Sequence, residues 1–289
     1  MNNGKLLYPL LALVSLFSGS LYSETSVWRV SQGANQLFIG GTIHILGAAD
    51  YPLPAEFDRA YQRSDLLVLE TDMEKLQDPD FQRVMMRALS YSDGRNLKSV
   101  LSAKTFQLLD NYCKSRGIPT DNLLPFKPGM VATTLTMLEL QRLGLGGVGV
   151  DAYFNARAIK DRKKLGQLET VESQLAFISS MGQGQEDDLI AYTLEDINNL
   201  PALMGEMKQT WRKGDLSSLE RANIIPFKRD FPKIYQTMLV DRNNAWIPQI
   251  EAMLKTREVE FILVGALHLA GEDGLLEHLS KRGYKVEKL

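Results

Sequence analysis

The chain has a single cysteine, Cys113, in 289 residues. An internal disulfide and a cysteine-ligated metal cluster are therefore excluded. Cys113 ends Leu108-Leu109-Asp110-Asn111-Tyr112-Cys113, a helical-looking stretch, and no histidine is near in sequence, so it reads as a packing residue rather than a nucleophile. Charge of one sign is also missing. Lys and Arg number 33 against 35 Asp and Glu, a formal net charge of −2, with no basic tract or acidic block. That gives no support for nucleic-acid binding and little for electrostatic attraction to membranes. There is no Pro/Ser-rich linker, internal repeat or low-complexity tract, so one domain is the simplest organisation. Several motifs that would name a chemistry are missing too. There is no G-x-S-x-G elbow, no H-E-x-x-H, no G-x-x-x-x-G-K-[ST] and no C-x-x-C-H for covalent haem. Gly144-Leu145-Gly146-Gly147-Val148-Gly149 fits G-x-G-x-x-G, but it follows a helix-like segment where the dinucleotide fingerprint needs a strand. A flexible turn leading to Asp151 as a helix N-cap explains it better.

The apolar run at the start is short. After Lys5, residues 6–17 form an apolar stretch of about a dozen residues, followed by small ones (Ser18, Gly19, Ser20, Ser23). This is the layout of a secretory signal peptide, and the run is too short for a comfortable membrane span, which needs roughly 20 apolar residues. Residues 1–23 are therefore expected to be a signal peptide, cleaved after Ser20 or Ser23. The remaining residues 24–289 would have no stable membrane span and would be periplasmic or secreted. An uncleaved inner-membrane anchor is the alternative. An exported chain without disulfides points to the bacterial periplasm.

Segments with strand patterning alternate with helical ones. Residues 27–30 and 36–41 flank a Gly/Asn turn and read as a hairpin. Residues 65–70 and 260–265 have continuous apolar centres that suit strands buried on both faces. Residues 164–169 and 284–287 complete the strands. Helices are expected at 54–63, 151–163, 172–181 and 275–282. Residues 130–143 read as a buried helix rather than a membrane span, because they carry Glu139 and Arg142. The expected fold class is α/β, a largely parallel central sheet flanked by helices. Helical insertions at about 78–145 and 186–258 would form a cap over one end.

The chain has only three histidines, and two share a local frame: Gly41-Thr42-Ile43-His44 and Gly265-Ala266-Leu267-His268. Both follow buried-strand patterns. Ligands of open α/β sheets sit beyond the carboxyl ends of the strands. Gly41 and Gly265 end their strands and allow close approach, and His44 and His268 fall in the loops above. A neutral imidazole there can bind a metal or act as a general base. The rival for any one histidine is a hydrogen-bonded structural role. His278, beside Glu277 and Lys281, reads as a surface residue. Glu70 and Glu169 both stand in Leu-Glu-Thr at strand mouths, where a charge needs a partner or water. Two histidines with one or two carboxylates suit a divalent ion. The rival is that each glutamate caps a helix or pairs with an arginine. Arg242 and Asn243, in Asp241-Arg242-Asn243, can clamp an oxyanion or a substrate carboxylate; a solvated helix face is the plainer reading.

These pieces occur in a recognisable order. Phe38-Ile39-Gly40-Gly41-Thr42-Ile43-His44 comes first, then Leu69-Glu70-Thr71, Gly149-Val150-Asp151 and Leu168-Glu169-Thr170 with Gln174-Leu175. Asp241-Arg242-Asn243 follows, then Val264-Gly265-Ala266-Leu267-His268 with Gly271 and Gly274. The set resembles the TraB/GumN family, which includes the Tiki proteases, over nearly all of residues 24–289. The resemblance implies a fold shared with erythromycin esterases and haem-binding ChaN proteins. It implies a site of His44, His268 and Glu70, joined by Arg242 and Asn243 from an E-R-N motif in which Asp241 replaces the glutamate. It also implies a metal-dependent hydrolase, a peptidase, acting on a peptide or small-molecule substrate, which the signal-like start would make an exported enzyme. Manganese, cobalt or zinc would be held by His44, Glu70 and His268, with Glu169 as an additional ligand, and Arg242 and Asn243 would stabilise the oxyanion. Two alternatives stand beside it: a metal-free, esterase-like hydrolase in which a histidine activates water with glutamate support, and a haem- or peptide-binding protein without turnover.

Overall fold

A computed structural model describes residues 24–289; the expected signal peptide lies outside the described residues. Six strands form one sheet: β1 (Val27–Gln32), β2 (Asn35–Thr42), β3 (Leu66–Leu69), β4 (Lys164–Gln167), β5 (Glu260–Gly265) and β6 (Lys285–Lys288). Their order is β4-β3-β5-β2-β1-β6. The β4, β3, β5 and β2 strands run parallel. β1 pairs antiparallel with both β2 and β6. The β1–β2 hairpin turns at Gly33, whose φ of +62° suits a residue without a side chain. The expected α/β class with a largely parallel sheet is what forms.

Helices follow in chain order: α1 (Ala55–Arg63), α2 (Pro79–Ala88), α3 (Leu97–Val100), α4 (Ala103–Ser115), α5 (Pro128–Arg142), α6 (Val150–Asp161) and α7 (Val171–Ser180). After them come α8 (Glu186–Lys213), α9 (Leu216–Leu219), α10 (Ile225–Asp230), α11 (Pro232–Tyr235), α12 (Asp241–Met253) and α13 (Leu275–Lys281). Two π-helical segments, Glu220–Ile224 and Gln236–Val240, interrupt the stretch between α9 and α12. Among the described residues no helix is long and apolar enough to cross a membrane.

The apolar runs of the central strands explain the layers. Side chains alternate between faces along a strand. In β5, Phe261 and Leu263 join Phe38, Leu67, Phe57, Phe154 and Trp211 on one face. Ile262 and Val264 join Ile39, Val68, Trp246 and Leu279 on the other. Burying a side chain of this size stabilises by roughly 1.5–3 kcal/mol. A third core, built by Leu97, Leu109, Cys113, Val131, Leu135 and Ile190, lies within the helical cap. The residues 186–258 expected as cap include α12, yet Trp246, Ile247 and Ile250 of α12 pack on the sheet. Helical periodicity marks an apolar face without saying which layer it meets.

Because β3, β5 and β2 run parallel, their carboxyl ends lie on one edge of the sheet. Glu70, the turn Ala266–Leu269 and His44 all emerge there, as the switch-point rule for open sheets requires.

Candidate active site

Gly265 is the focus of the strand ends. A Cβ at that position would lie 3.4 Å from Glu70 Oε1, 3.6 Å from His268 Cδ2 and 3.6 Å from His44 Nε2. Residues more than 200 positions apart thus converge on one backbone atom. Gly41 allows this from the other side: a Cβ there would meet Ala266 Cα at 3.2 Å and Leu269 Cδ1 at 3.0 Å. It lets the turn carrying His268 press against β2.

Arg242 enters from the first turn of α12, which follows directly on the π-helical segment Gln236–Val240. Its guanidinium has five N–H groups, and protein acceptors engage its three nitrogens on every side. Nε bonds both oxygens of Glu169 at 3.1 Å. Nη2 bonds Glu169 Oε1 at 2.6 Å and Glu70 Oε2 at 2.5 Å. Nη1 bonds His268 Nε2 at 3.0 Å and Met238 O at 3.3 Å. The guanidinium carbon also stacks 4.7 Å above the Trp246 ring. Asn243, fully buried, donates to His268 O and Asp273 O and accepts from His268 Nδ1 at 2.7 Å. The pair expected to clamp an oxyanion therefore spends its hydrogen bonds within the protein. Asp241 turns away to Gln236.

These partners set the charge states. His268 has a donor at Nε2 and an acceptor at Nδ1, which assigns a neutral ring protonated at Nδ1. Burial and the Arg242 charge push it down to about 4, against the pull of Glu70. Burial also opposes the Glu70 charge. The charge that His268 takes on once protonated below about 4, with those of Arg242 and His44 and the Gly265 N–H at 2.6 Å, outweighs it and holds the carboxyl at about 2. His44 behaves oppositely. Its surroundings disfavour its charge, but the Asp151 carboxylate at 3.1 Å from Nδ1, together with Glu70, raises it to about 9. Its side chain is 58% exposed, opening into the cavities of the site.

Asp151 is the residue sequence reasoning misplaced. The N-cap of α6 is Gly149, and the Asp151 carboxylate faces His44 from the first turn. The two are brought together by a close backbone approach. A Cβ on Gly149 would lie 2.1 Å from His44 O, and Val150 N donates to Ile43 O at 3.1 Å. The glycine-rich run thus packs against the His44 loop, and the usable signal was Gly149-Val150-Asp151 rather than the capping preference. His278, read as a surface residue, is half-buried in α13, and its Nδ1 meets the Arg282 guanidinium at 3.2 Å.

Two cavities meet at His44 and Glu70. One of about 350 Å³ runs under the cap, bounded by His44, Glu70, Arg242 and His268 at its floor. The other, about 220 Å³, lies toward Thr42, Thr71 and Asp151. Two imidazoles and a carboxylate are the donor types a divalent ion takes. The arrangement, however, does not fit one. Arg242 occupies His268 Nε2 and Glu70 Oε2, and Glu169 is wholly engaged by the same guanidinium. Among the described residues no three His, Cys, Asp or Glu side chains are grouped to hold a metal ion.

Comparison with known proteins gives no match among curated proteins or solved structures. The family description "TraB/PrgY/gumN family" matches residues 26–288, essentially all of the described chain, and the chain belongs to that family.

Proposed function

We propose that this protein is a hydrolase of amide or ester bonds, with Glu70 and His44 as its reacting groups. One observation carries the reading. Glu70 Oε1 and His44 Nε2 face the same space at Gly265, Glu70 held by Arg242 and His44 by Asp151, contacts that lower the proton affinity of the first and raise that of the second. Such a split assigns a base and an acid. Glu70 Oε1 orients a water and accepts its proton as the water oxygen bonds the substrate carbonyl carbon. His44 Nε2–H donates to the leaving nitrogen or oxygen as its bond to that carbon breaks. The proton on Glu70 then returns to His44, directly or through water, and the site is restored. Arg242 keeps Glu70 ionised and His268 neutral; Asp151 keeps His44 charged. Export to the periplasm belongs to the same reading and is supported by the signal-like pattern of residues 1–23.

A second reading uses a divalent ion on His44, Glu70 and His268. The convergence of those three side chains on Gly265 favours it, and it requires Arg242 to swing away. A peptidase reaction fits either reading.

The test is turnover of N-acyl amino-acid anilides and nitrophenyl esters by the wild type, His44→Ala and Glu70→Gln, each with and without chelator. Loss of roughly 10²–10⁴-fold in both variants, with the wild type indifferent to chelator, is the expected result. Chelator-sensitive activity restored by manganese, cobalt or zinc would transfer the assignment to the ion. Full activity in folded variants would sink both.

A further inference from the structure

The two cavities that meet at His44 and Glu70 differ in chemistry. Every residue that the cap and the Gln236–Val240 segment contribute to the larger cavity is apolar, and four are methionines: Met137, Met204, Met207 and Met238. Methionine is unbranched, polarisable and adaptable, and it suits an apolar guest of variable shape. A volume of about 350 Å³ falls in the range of small-ligand pockets, roughly 300–1,000 Å³. Charge occurs only where the wall meets the reacting groups.

The smaller cavity presents a different demand. Thr42, Thr71 and Asp151 line it, and the hydroxyls of the two threonines and the Oδ1 of Asp151 are buried with no hydrogen-bond partner among the described residues. Thr42 is 3% exposed and Thr71 6%. Buried polar atoms are nearly always satisfied, so three unmet ones in residues that bound one space favour a hydrogen-bonding occupant there.

We infer that the substrate is amphipathic, with a flexible apolar chain in the methionine cavity and a compact hydrogen-bonding group in the threonine cavity. The bond to be cut lies between them at His44 and Glu70. This rests on the hydrolase reading for the bond, but not for the two binding faces.

Titration calorimetry on the full chain with three neutral amides tests it. Decanamide carries the chain alone, N-acetylethanolamine the polar group alone, and N-decanoylethanolamine both. The last is expected to bind at least tenfold more tightly than either of the others. Met204→Gln and Met207→Gln should remove the gain from chain length. Thr71→Val, which keeps the side-chain shape, should remove only the gain from the polar group. N-acetylleucine ethanolamide, compared with the decanoyl probe, separates an amino-acyl from a fatty-acyl source of the apolar group. Affinity that ignores chain length, or a chain-length gain that survives in both folded methionine variants, overturns the inference. Binding without turnover of any ester or amide would refute the hydrolase reading alone. Turnover of small polar esters with no preference for a chain would refute the amphipathic substrate alone.

Discussion

At the scale of single residues, the site is a set of charges held in fixed states. His44 is the one most open to measurement. Its pKa is raised from 6.5 to about 9 by Asp151 and Glu70 against its surroundings. A raised histidine contributes stability that is fully present below pH 6.5 and is lost as pH rises through about 9. If it also donates the proton to the leaving group, activity should hold through neutrality and fall above about 9. Asp151→Asn should bring the His44 titration, followed by NMR, down toward 6.5 and move the alkaline limb of the rate profile with it. An unmoved titration would remove Asp151 from the site. Glu70 has the opposite sign: its carboxyl is depressed from 4.5 to about 2. The stability it confers is present above 4.5 and disappears as pH falls through about 2.

Arg242 makes a second residue-scale case. Removing the guanidinium leaves Glu70 and Glu169, both largely buried, without their cation. Breaking a buried pair from one side costs about 3–5 kcal/mol. Arg242→Ala should therefore lower the denaturant midpoint substantially, and His268 should titrate above its present value of about 4. Arg242→Lys restores charge but not the planar fork that reaches Glu169, Glu70, His268 and the Met238 carbonyl at once, and should recover only part of the loss. Wild-type stability in Arg242→Ala would mean that the carboxylates find other partners. Much of this set was legible in the sequence: the repeated G-x-x-H frame named His44 and His268, and Leu-Glu-Thr named Glu70 and Glu169. Their roles were not legible. Saturation of Arg242 and Asn243 by protein acceptors depends on residues as distant as Glu70 and Asp273, which no local pattern reveals.

At the scale of elements, strands were easier to read than helical layers. The run 260–265 appears as β5 with those bounds, because a short apolar block needs burial on both faces. The limits of the cap were harder, since α12 has the same kind of apolar face as its neighbours but turns it to the sheet. Contacts between elements hinge on two glycines. A side chain on Gly149 would strike the His44 carbonyl, a backbone atom that cannot rotate aside. Gly149→Ala should push α6 from the His44 loop and separate Asp151 from His44, returning the imidazole toward its ordinary pKa. At Gly265 an added Cβ meets ordinary contact distances of 3.4–3.6 Å. Gly265→Ala should therefore fold with near wild-type stability yet place a methyl among His44, Glu70 and His268. Loss of turnover with an unchanged melting curve is the expected pair of results; unaltered turnover would move the reacting centre elsewhere.

At the scale of the molecule, the cap has its own buried cluster beside those that cover the sheet. Separate clusters can open separately, in units less stable than the whole. A cap of that kind would admit a substrate to the methionine cavity, whose wall is built from α5, α8 and the segment before α12. Cys113 reports on it directly. The sequence marked it as a packing residue, and it lies fully buried in the cap cluster, where burial pushes its thiol up. Reaction with a thiol reagent then requires the cap to open. Labelling of the native protein should be slow, and its rate should respond to denaturant less steeply than global unfolding, since an opening cap exposes less surface than the whole chain. A saturating apolar amide in the methionine cavity should slow it further by holding the cap shut. If labelling instead follows global unfolding with the same slope, cap and sheet form one cooperative unit, and substrate must enter through the mouth at His44.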